Sequence, residues 1–561
     1  MDLEKFESLK PEEQERIFHQ SPFKEKGELL LHSHHPLRLA RSLSQEELYL
    51  LAKEMDLQER SEVIRYASLP QLFFISDIDC WKKDRIHPRG FLSWLETLLA
   101  ADENRLLAWI TEMDYEAIVA GFKQLIQVLK PDREYAMDEI LGDRPYFTLD
   151  DNYFIFAKEE DLETLRRTLE LLFENNRGRY VSLLEGIMAE LDDEVEEEAF
   201  QKKQMRLAER GFPEAETARQ IYRLISKKEF EEFPLKNHRQ TREKSVVVPN
   251  YPVLWSRDRF FFDEVLLLFE EDETPVREMI QEEIAWLSNK VIACDGIDFS
   301  SEERVREGIE RVRAFVSVGL ELLSGGDLVR SRQILTERWV EIIFRWGATH
   351  ILQLREEGLE IPRIFWKADR GRFLGFLNDP YDSVFGGLLQ TVPQYYDSSI
   401  ENAERKRDFH SVQDIERSRR SIEQIKNAHE ILSDHGLLFE IQALEADDPL
   451  LFSFLATLFV SHVLFGKSSL DSVDRPGLDR FLKEAFESRG EKRFLRADLK
   501  ANFLSRISRV ADRDIMLPLW ALVFGELEEE LGNLDLSKTV DLRYISSLRI
   551  SKTGKKKKAK K

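Results

Sequence analysis

Along the first 130 residues, apolar side chains recur every three or four positions in short bursts, each closed by a polar or proline-bearing step. That period is the signature of amphipathic helices. Ser44 followed by Glu47 forms a capping box, after which Leu48, Leu51, Ala52 and Met55 make one stripe. Val63, Ile64 and Ala67 mark a second short helix. Ser68 with Gln71 starts a third, with Pro70 in its first turn and a stripe of Leu72, Phe73, Ile75 and Ile78. The scheme returns in Phe91, Leu92, Leu95, Leu98 and Leu99, then in Leu106, Leu107 and Ile110. Asp114 is expected to cap a helix running through Ile118, Val119, Phe122, Leu125, Ile126 and Leu129, which Pro131 ends. None of these helices can bury its apolar face alone, so side-by-side stacking is expected.

One β element interrupts the pattern. Tyr146 to Leu149 and Tyr153 to Phe156 predict two aromatic strands around Asp150-Asp151-Asn152. Helical spacing resumes from Glu159 to Leu224, where the acidic run Asp192 to Glu198 reads as a solvated helix start. Helices follow again to Leu323, Gly325-Gly326-Asp327 forms a turn, and a long helical stretch covers Arg332 to Glu357. The expected fold is all-α: a superhelix of short-helix repeats in the armadillo or HEAT style, then a second helical region, with one small β-hairpin. The expected divisions are a helical-repeat region over 1–135, a hairpin with helices over 136–225, and a linker over 226–250. A helical domain over 251–400, a charged linker or exposed helix over 401–425, a helical region over 426–550 and a basic disordered tail over 551–561 complete the chain.

Composition sharpens this picture. The chain has 561 residues with only 25 Gly and 18 Pro, few breakers for that length. Its formal net charge is −23, which repels phosphate backbones and anionic bilayers, so specific nucleic-acid binding by the folded body is not expected. Cys80 and Cys294 are too few for a disulfide framework. The run Leu450 to Gly466 is apolar, but it is short for a span and holds Ser453, Thr457, Ser461 and His462, so a buried core helix is expected. Met1 to Phe6 shows no basic-then-apolar signal pattern, and a cytoplasmic location is expected.

Candidate chemistry is sparse. His32, His34 and His35 cluster near Pro36, without a glutamate or cysteine at ligand spacing. His429-Glu430 starts like a zinc-protease helix, but Ser433 occupies the second ligand position, and His435 falls on the opposite helix side. Gly466-Lys467-Ser468 ends like a phosphate loop, yet Ser461 stands where that loop needs glycine. Asp77-Ile78-Asp79-Cys80-Trp81-Lys82-Lys83-Asp84 groups three carboxylates around a tryptophan without the glycine and glutamate of a calcium loop. It reads as a helix end whose Trp81 packs while its charges face water. Val392 to Asp397 (VPQYYD) sets two tyrosines after a proline, either a peptide-binding ledge or a loop plugged into the core. The lysines from Lys555 to Lys561 would hold anionic polymers or lipids weakly and salt-dependently. No catalytic, cofactor-binding or metal-ligating set emerges.

The segment Leu43 to Leu72 with Asp77 to Arg85, together with Arg210-Gly211-Phe212-Pro213, Leu322 to Asp327 (LLSGGD) and VPQYYD, resembles the bacterial domain-of-unknown-function family 6178. That resemblance spans nearly the whole chain and implies no activity, cofactor or partner. Leu43 to Leu72 is also similar in style to the amino-terminal helical-repeat domain of MgtE-type magnesium transporters, which implies fold and not transport. The expected function is a non-enzymatic scaffold or regulator that binds an as yet unknown protein partner. The alternatives are an enzyme with a pocket between the two helical regions and an RNA- or membrane-associated protein acting through its lysine tail.

Overall fold

Short helices have many ends, and each end leaves backbone groups without an intrahelical partner. The computed structural model describes residues 3–21, 23–130, 145–189, 191–236, 259–269, 274–297, 301–366, 369–400, 406–442, 450–467, 472–489, 492–508, 512–534 and 542–550. Among these, helices dominate, and strands occur only in small antiparallel arrangements. The fold is all-α with small β-hairpins. The chain divides into two compact units, residues 1–346 and 347–561.

The first unit opens with ten helices: α1 (Leu3–Glu7), α2 (Pro11–Gln20), α3 (Phe23–Leu31), α4 (Pro36–Ser42), α5 (Gln45–Lys53), α6 (Leu57–Tyr66), α7 (Leu69–Asp79), α8 (Pro88–Ala101), α9 (Glu103–Glu112) and α10 (Tyr115–Lys123). α5 packs on α7, α6 on α8, and α8 on α9. Their stripes merge into one hydrophobic core that runs from Phe6 through Leu48, Leu72, Leu95, Trp109 and Phe122 to Ile309. The Ser44 box forms as its spacing requires: Ser44 Oγ accepts from Glu47 N–H at 3.1 Å, and Glu47 accepts from Ser44 N–H at 2.9 Å. Gln71 works at longer range. Its Oε1 accepts from Ser68 N–H at 2.8 Å, while its Nε2 donates to the carbonyls of Ala40 and Leu43, both at 2.9 Å. One buried amide therefore caps the start of α7 and the end of α4.

Two expectations about local structure change. The helix expected from Asp114 to Leu129 stops at Lys123, and Gln127–Leu129 forms strand β3. β3 pairs antiparallel with β5 (Phe154–Phe156), which also pairs with β4 (Tyr146–Phe147), in the order β3-β5-β4. The aromatic hairpin exists, but a two-stranded hairpin is marginal alone. A third strand with Val128 buried completes it, and Tyr153 Oη donates to Glu185 at 2.6 Å to hold it on the Arg177–Ala189 helix. Five residues of apolar spacing do not separate helix from strand. The long helix expected over 332–357 breaks at Arg338-Trp339, between Leu328–Glu337 and Val340–Trp366.

The acidic run does start a helix, Asp192–Ala208, but it is not wholly solvated. Val195 is buried, and Glu196 accepts from Ile86 N–H at 2.8 Å. Within the segment expected as a linker, Lys227–Glu232 is helical, while residues 237–258 and the lysine tail lie outside the described residues.

In the second unit the apolar run forms the helix Leu451–Phe465, buried along most of its length and ended by Gly466 at φ 63°. Its polar residues bond inside the protein. Ser453 donates to Ser546 O at 2.7 Å, and Thr457 donates to Ser453 O at 2.6 Å. No helix among the described residues is long and apolar enough to cross a membrane.

Gln71→Ala would take this donor from the buried Leu43 carbonyl and leave the Ala40 carbonyl only the long bond from Leu43 N–H at 3.4 Å. We expect a loss of about 2–3 kcal/mol, read as a lower urea midpoint for unfolding of the full chain.

Candidate functional site

The carboxyl end of α7 is where the first unit opens a cavity of about 340 Å³. Its wall is built from α5 (Tyr49, Ala52, Lys53), α6 (Arg60, Ile64), α7 (Ile75, Ile78, Asp79), Trp81, and α8 (Gly90, Ser93, Trp94, Thr97). After α7 the chain makes a two-residue strand β1 (Trp81–Lys82), a turn with Lys83 at φ 61°, and β2 (Arg85–Ile86). His87 N–H then donates to Cys80 O at 2.8 Å, which closes the hairpin and sets α8 beside the end of α7. The approach is close. A Cβ added at Gly90 would lie 2.4 Å from Asp79 O, so glycine is required there by space.

Polar groups converge on this cavity from three helices. Asp79 Oδ1 accepts from Tyr49 Oη at 2.9 Å, and its Oδ2 lies 2.8 Å from Lys53 Nζ. The Lys53 ammonium also sits 5.3 Å from the centre of the Tyr49 ring. Arg60 donates from Nε to Ala52 O at 2.8 Å and more weakly from Nη2 to Met55 O at 3.5 Å, which caps α5. Trp94 is 4% exposed, and its indole N–H has no acceptor among the described residues. α5 itself is anchored from beneath, where Glu47 faces Lys26 at 3.8 Å with both side chains fully buried.

Behind the cavity lies a second polar layer. Asp77 is 1% exposed and is gripped by the Arg206 fork, Nε to Oδ2 at 2.8 Å and Nη2 to Oδ1 at 2.6 Å. Arg206 also bonds Asp114, so one guanidinium from the Asp192–Ala208 helix ties α7 to the start of α10. Burial pushes the Asp77 carboxyl up, and Arg206 opposes the shift. Lys203, one turn earlier, is 8% exposed and lies 4.8 Å from the Trp81 ring centre and 5.6 Å from that of Phe200. Desolvation lowers its amine to about 8. Burial, then the charges of Asp79 and Asp77, pushes the Cys80 thiol well up, which makes it a poor nucleophile.

The eight-residue segment Asp77 to Asp84 is thus brought to the cavity, but not as expected. Asp77 does not face water, because the arginine that neutralises it lies 129 positions away. Trp81 is only half-buried and serves as wall, while Asp84 is exposed. The other candidates stay apart from it. His32, His34 and His35 are exposed at the α3–α4 connection. His429 and Ser433 lie on the Val412–Asp434 helix, His429 edge-on to Phe365, while His435 caps that helix with Nδ1 2.8 Å from Ile431 O. Gly466 and Lys467 end the buried apolar helix, and Ser468 lies outside the described residues. In VPQYYD, the strand Tyr395–Tyr396 pairs with Lys406–Arg407, and Arg407 stacks on Tyr395 at 4.6 Å while it bonds Asp397 at 2.9 Å and Asp414 at 2.8 Å. Among the described residues, no group of three His, Cys, Asp or Glu is arranged to hold a metal ion. Sequence reading missed Tyr49, Lys53, Arg60 and Trp94. The only local signal is that Tyr49 and Lys53 share a helix face at i,i+4.

Two outcomes follow from this geometry. Lys203 should titrate near pH 8 rather than near the usual lysine value, so amine-selective labelling followed by mass spectrometry should find it labelled well ahead of its intrinsic exposure at pH 8.5. Between about pH 8 and 10.5 the unfolded chain binds a proton on this residue that the folded chain does not, so folding stability rises with pH in that window. Lys203→Met should remove that slope and stabilise the protein by about 3 kcal/mol at pH 7. Gly90→Ala should cost roughly 1–3 kcal/mol by forcing α8 away from Asp79, seen as a lower thermal midpoint.

Residues 3–551 match the family of unknown function DUF6178. No curated protein and no solved structure matches the chain, so the likeness to the magnesium-transporter domain has no support from these comparisons. With nearly its whole length covered, the chain belongs to the family of unknown function DUF6178.

Proposed function

We propose that this protein binds a small molecule, and that the ligand occupies the cavity among α5, α6, α7 and α8. The observation that carries this reading is the convergence of Lys53, Asp79 and Arg60 on one cavity of about 340 Å³ lined also by Tyr49, Trp81 and Trp94. The volume lies at the lower end of the usual ligand-pocket range of roughly 300–1,000 Å³, and placed polar groups beside aromatic residues suit a small ligand. The arrangement favours binding over catalysis. Both Asp79 oxygens are already engaged by Tyr49 and Lys53, and the nearby Cys80 is held as a neutral thiol. The stacked short helices supply a rigid frame, and reversible occupancy would suit a sensor or regulator.

A second reading, the protein-binding scaffold, draws on the second unit. There Phe439 and Tyr544 are each 82% exposed and Phe465 is 64% exposed.

The ligand reading is tested by denaturing the purified full chain and identifying released small molecules by mass spectrometry, beside an Ala52→Phe variant. Ala52 lines the cavity, and a benzyl group there fills it. We expect a near-stoichiometric molecule from the wild type and its loss from a folded Ala52→Phe protein. Equal yields from both would place the molecule elsewhere. Release of nothing, with no compound of a metabolite panel raising the wild-type thermal midpoint above that of the variant, would overturn the reading.

A further inference from the structure

From the polar groups of the same cavity we infer that its ligand is a small organic anion: a planar aromatic body bearing one carboxylate or similar acidic group. This inference rests on the ligand-binding reading and adds the charge and shape of the ligand.

The charge follows from a count of what the walls have left to offer. Asp79, the one carboxylate lining the cavity, spends Oδ1 on Tyr49 Oη at 2.9 Å and Oδ2 on Lys53 at 2.8 Å. A ligand therefore meets few free acceptors. Donors remain in several places. The Arg60 guanidinium makes no ion pair with a described residue, and its bonds to Ala52 O and Met55 O leave Nη1 and one Nη2 hydrogen uncommitted. Lys53 keeps part of its ammonium, and exposed Ser93 makes no side-chain hydrogen bond to a described residue. Two cations face one carboxylate, so the cavity is net positive in a chain whose overall charge is −23. A cationic or donor-rich ligand would leave these donors unpaired, while an anion would satisfy them with charge-assisted bonds. The ring preference follows from the lining, in which two indoles and a phenol are present for a ligand ring to pack against.

Placement supports a binding role for Arg60 beyond capping. It is half-buried beside Lys53, and exposed Ser93 marks where the cavity meets solvent. A carboxylate entering there meets the guanidinium while the ring passes inward.

The test uses three ligands of one shape and different charge: indole-3-acetate, indole-3-acetamide and tryptamine, titrated calorimetrically into the full chain near pH 7. We expect the acetate to bind at least about tenfold more tightly than the amide, and tryptamine most weakly. Arg60→Gln keeps a donor for the α5 carbonyls. It should cost the acetate about tenfold and leave the amide nearly unchanged. Equal or tighter binding of the amide or tryptamine overturns the anion assignment while the ligand reading stands, and an acetate preference that survives Arg60→Gln overturns the role given to Arg60. Binding of none of the three, in a wild type that releases a molecule of another class, also overturns it. A protein that releases nothing and binds none fails the ligand reading itself.

Discussion

The satisfaction of helix ends is the constraint on which the amino-terminal unit depends. A stack of helices each two or three turns long exposes far more terminal carbonyls than a bundle of long helices of the same mass, and glycine caps are scarce here. The chain solves this with long polar side chains sent from neighbouring elements. Gln71 reaches the ends of α4, Arg65 donates to Ala101 O at 2.8 Å, Arg105 donates to Arg65 O at 3.0 Å, and Arg179 donates to Met113 O at 2.9 Å. Positive groups at carboxyl ends also complement the helix dipoles. Each such bond fixes two helices at once, so capping and tertiary packing are one interaction.

The cavity grows out of that device. Arg60 is a cap of this kind on α5, and the same side chain lines the cavity. The end of α7 is treated differently. Gly90 lets α8 come against Asp79 O, and Trp81 of the short β1–β2 hairpin adds its ring to the wall. The space left between these elements is lined by whatever the helices present there, which gives three aromatic rings and an ion pair. The residues that hold these helices together are also the ones that line the cavity.

Behind the wall, charge is buried with two different results. Asp77 and Arg206 form a two-bonded pair, and the geometry offsets much of the desolvation. Lys203 instead faces the rings of Trp81 and Phe200 near the Asp77 charge, and with burial dominant its amine gives up its proton far more readily. Both side chains come from one face of the Asp192–Ala208 helix, the helix whose acidic start reads as plain solvated surface. The face of that helix turned to α7 and α10 holds the counter-charge for residues more than 90 positions earlier.

Local grammar carried much of this protein. The period of apolar residues identifies α5 to α9, Ser44 and Glu47 form their predicted box, and the chemistry of Ser453 and Thr457 within Leu451–Phe465 marks a core helix instead of a span. These features depend on neighbours within one or two turns, so the chain order alone determines them. The strand at Gln127–Leu129 did not, because it exists only when β5 lies beside it. The cavity is the same case on a larger scale. Asp79 reads as a charge at a helix end until Tyr49, 30 residues away, and Lys53 close beside it turn it into the floor of a site, and Asp77 reads as solvated until Arg206 arrives. Sequence determined which helices form and which faces they hide, since those follow from short-range sterics and solvation. Only the tertiary structure decided which charges meet, because an ion pair's partner is set by distance in space, where the chain's order no longer counts.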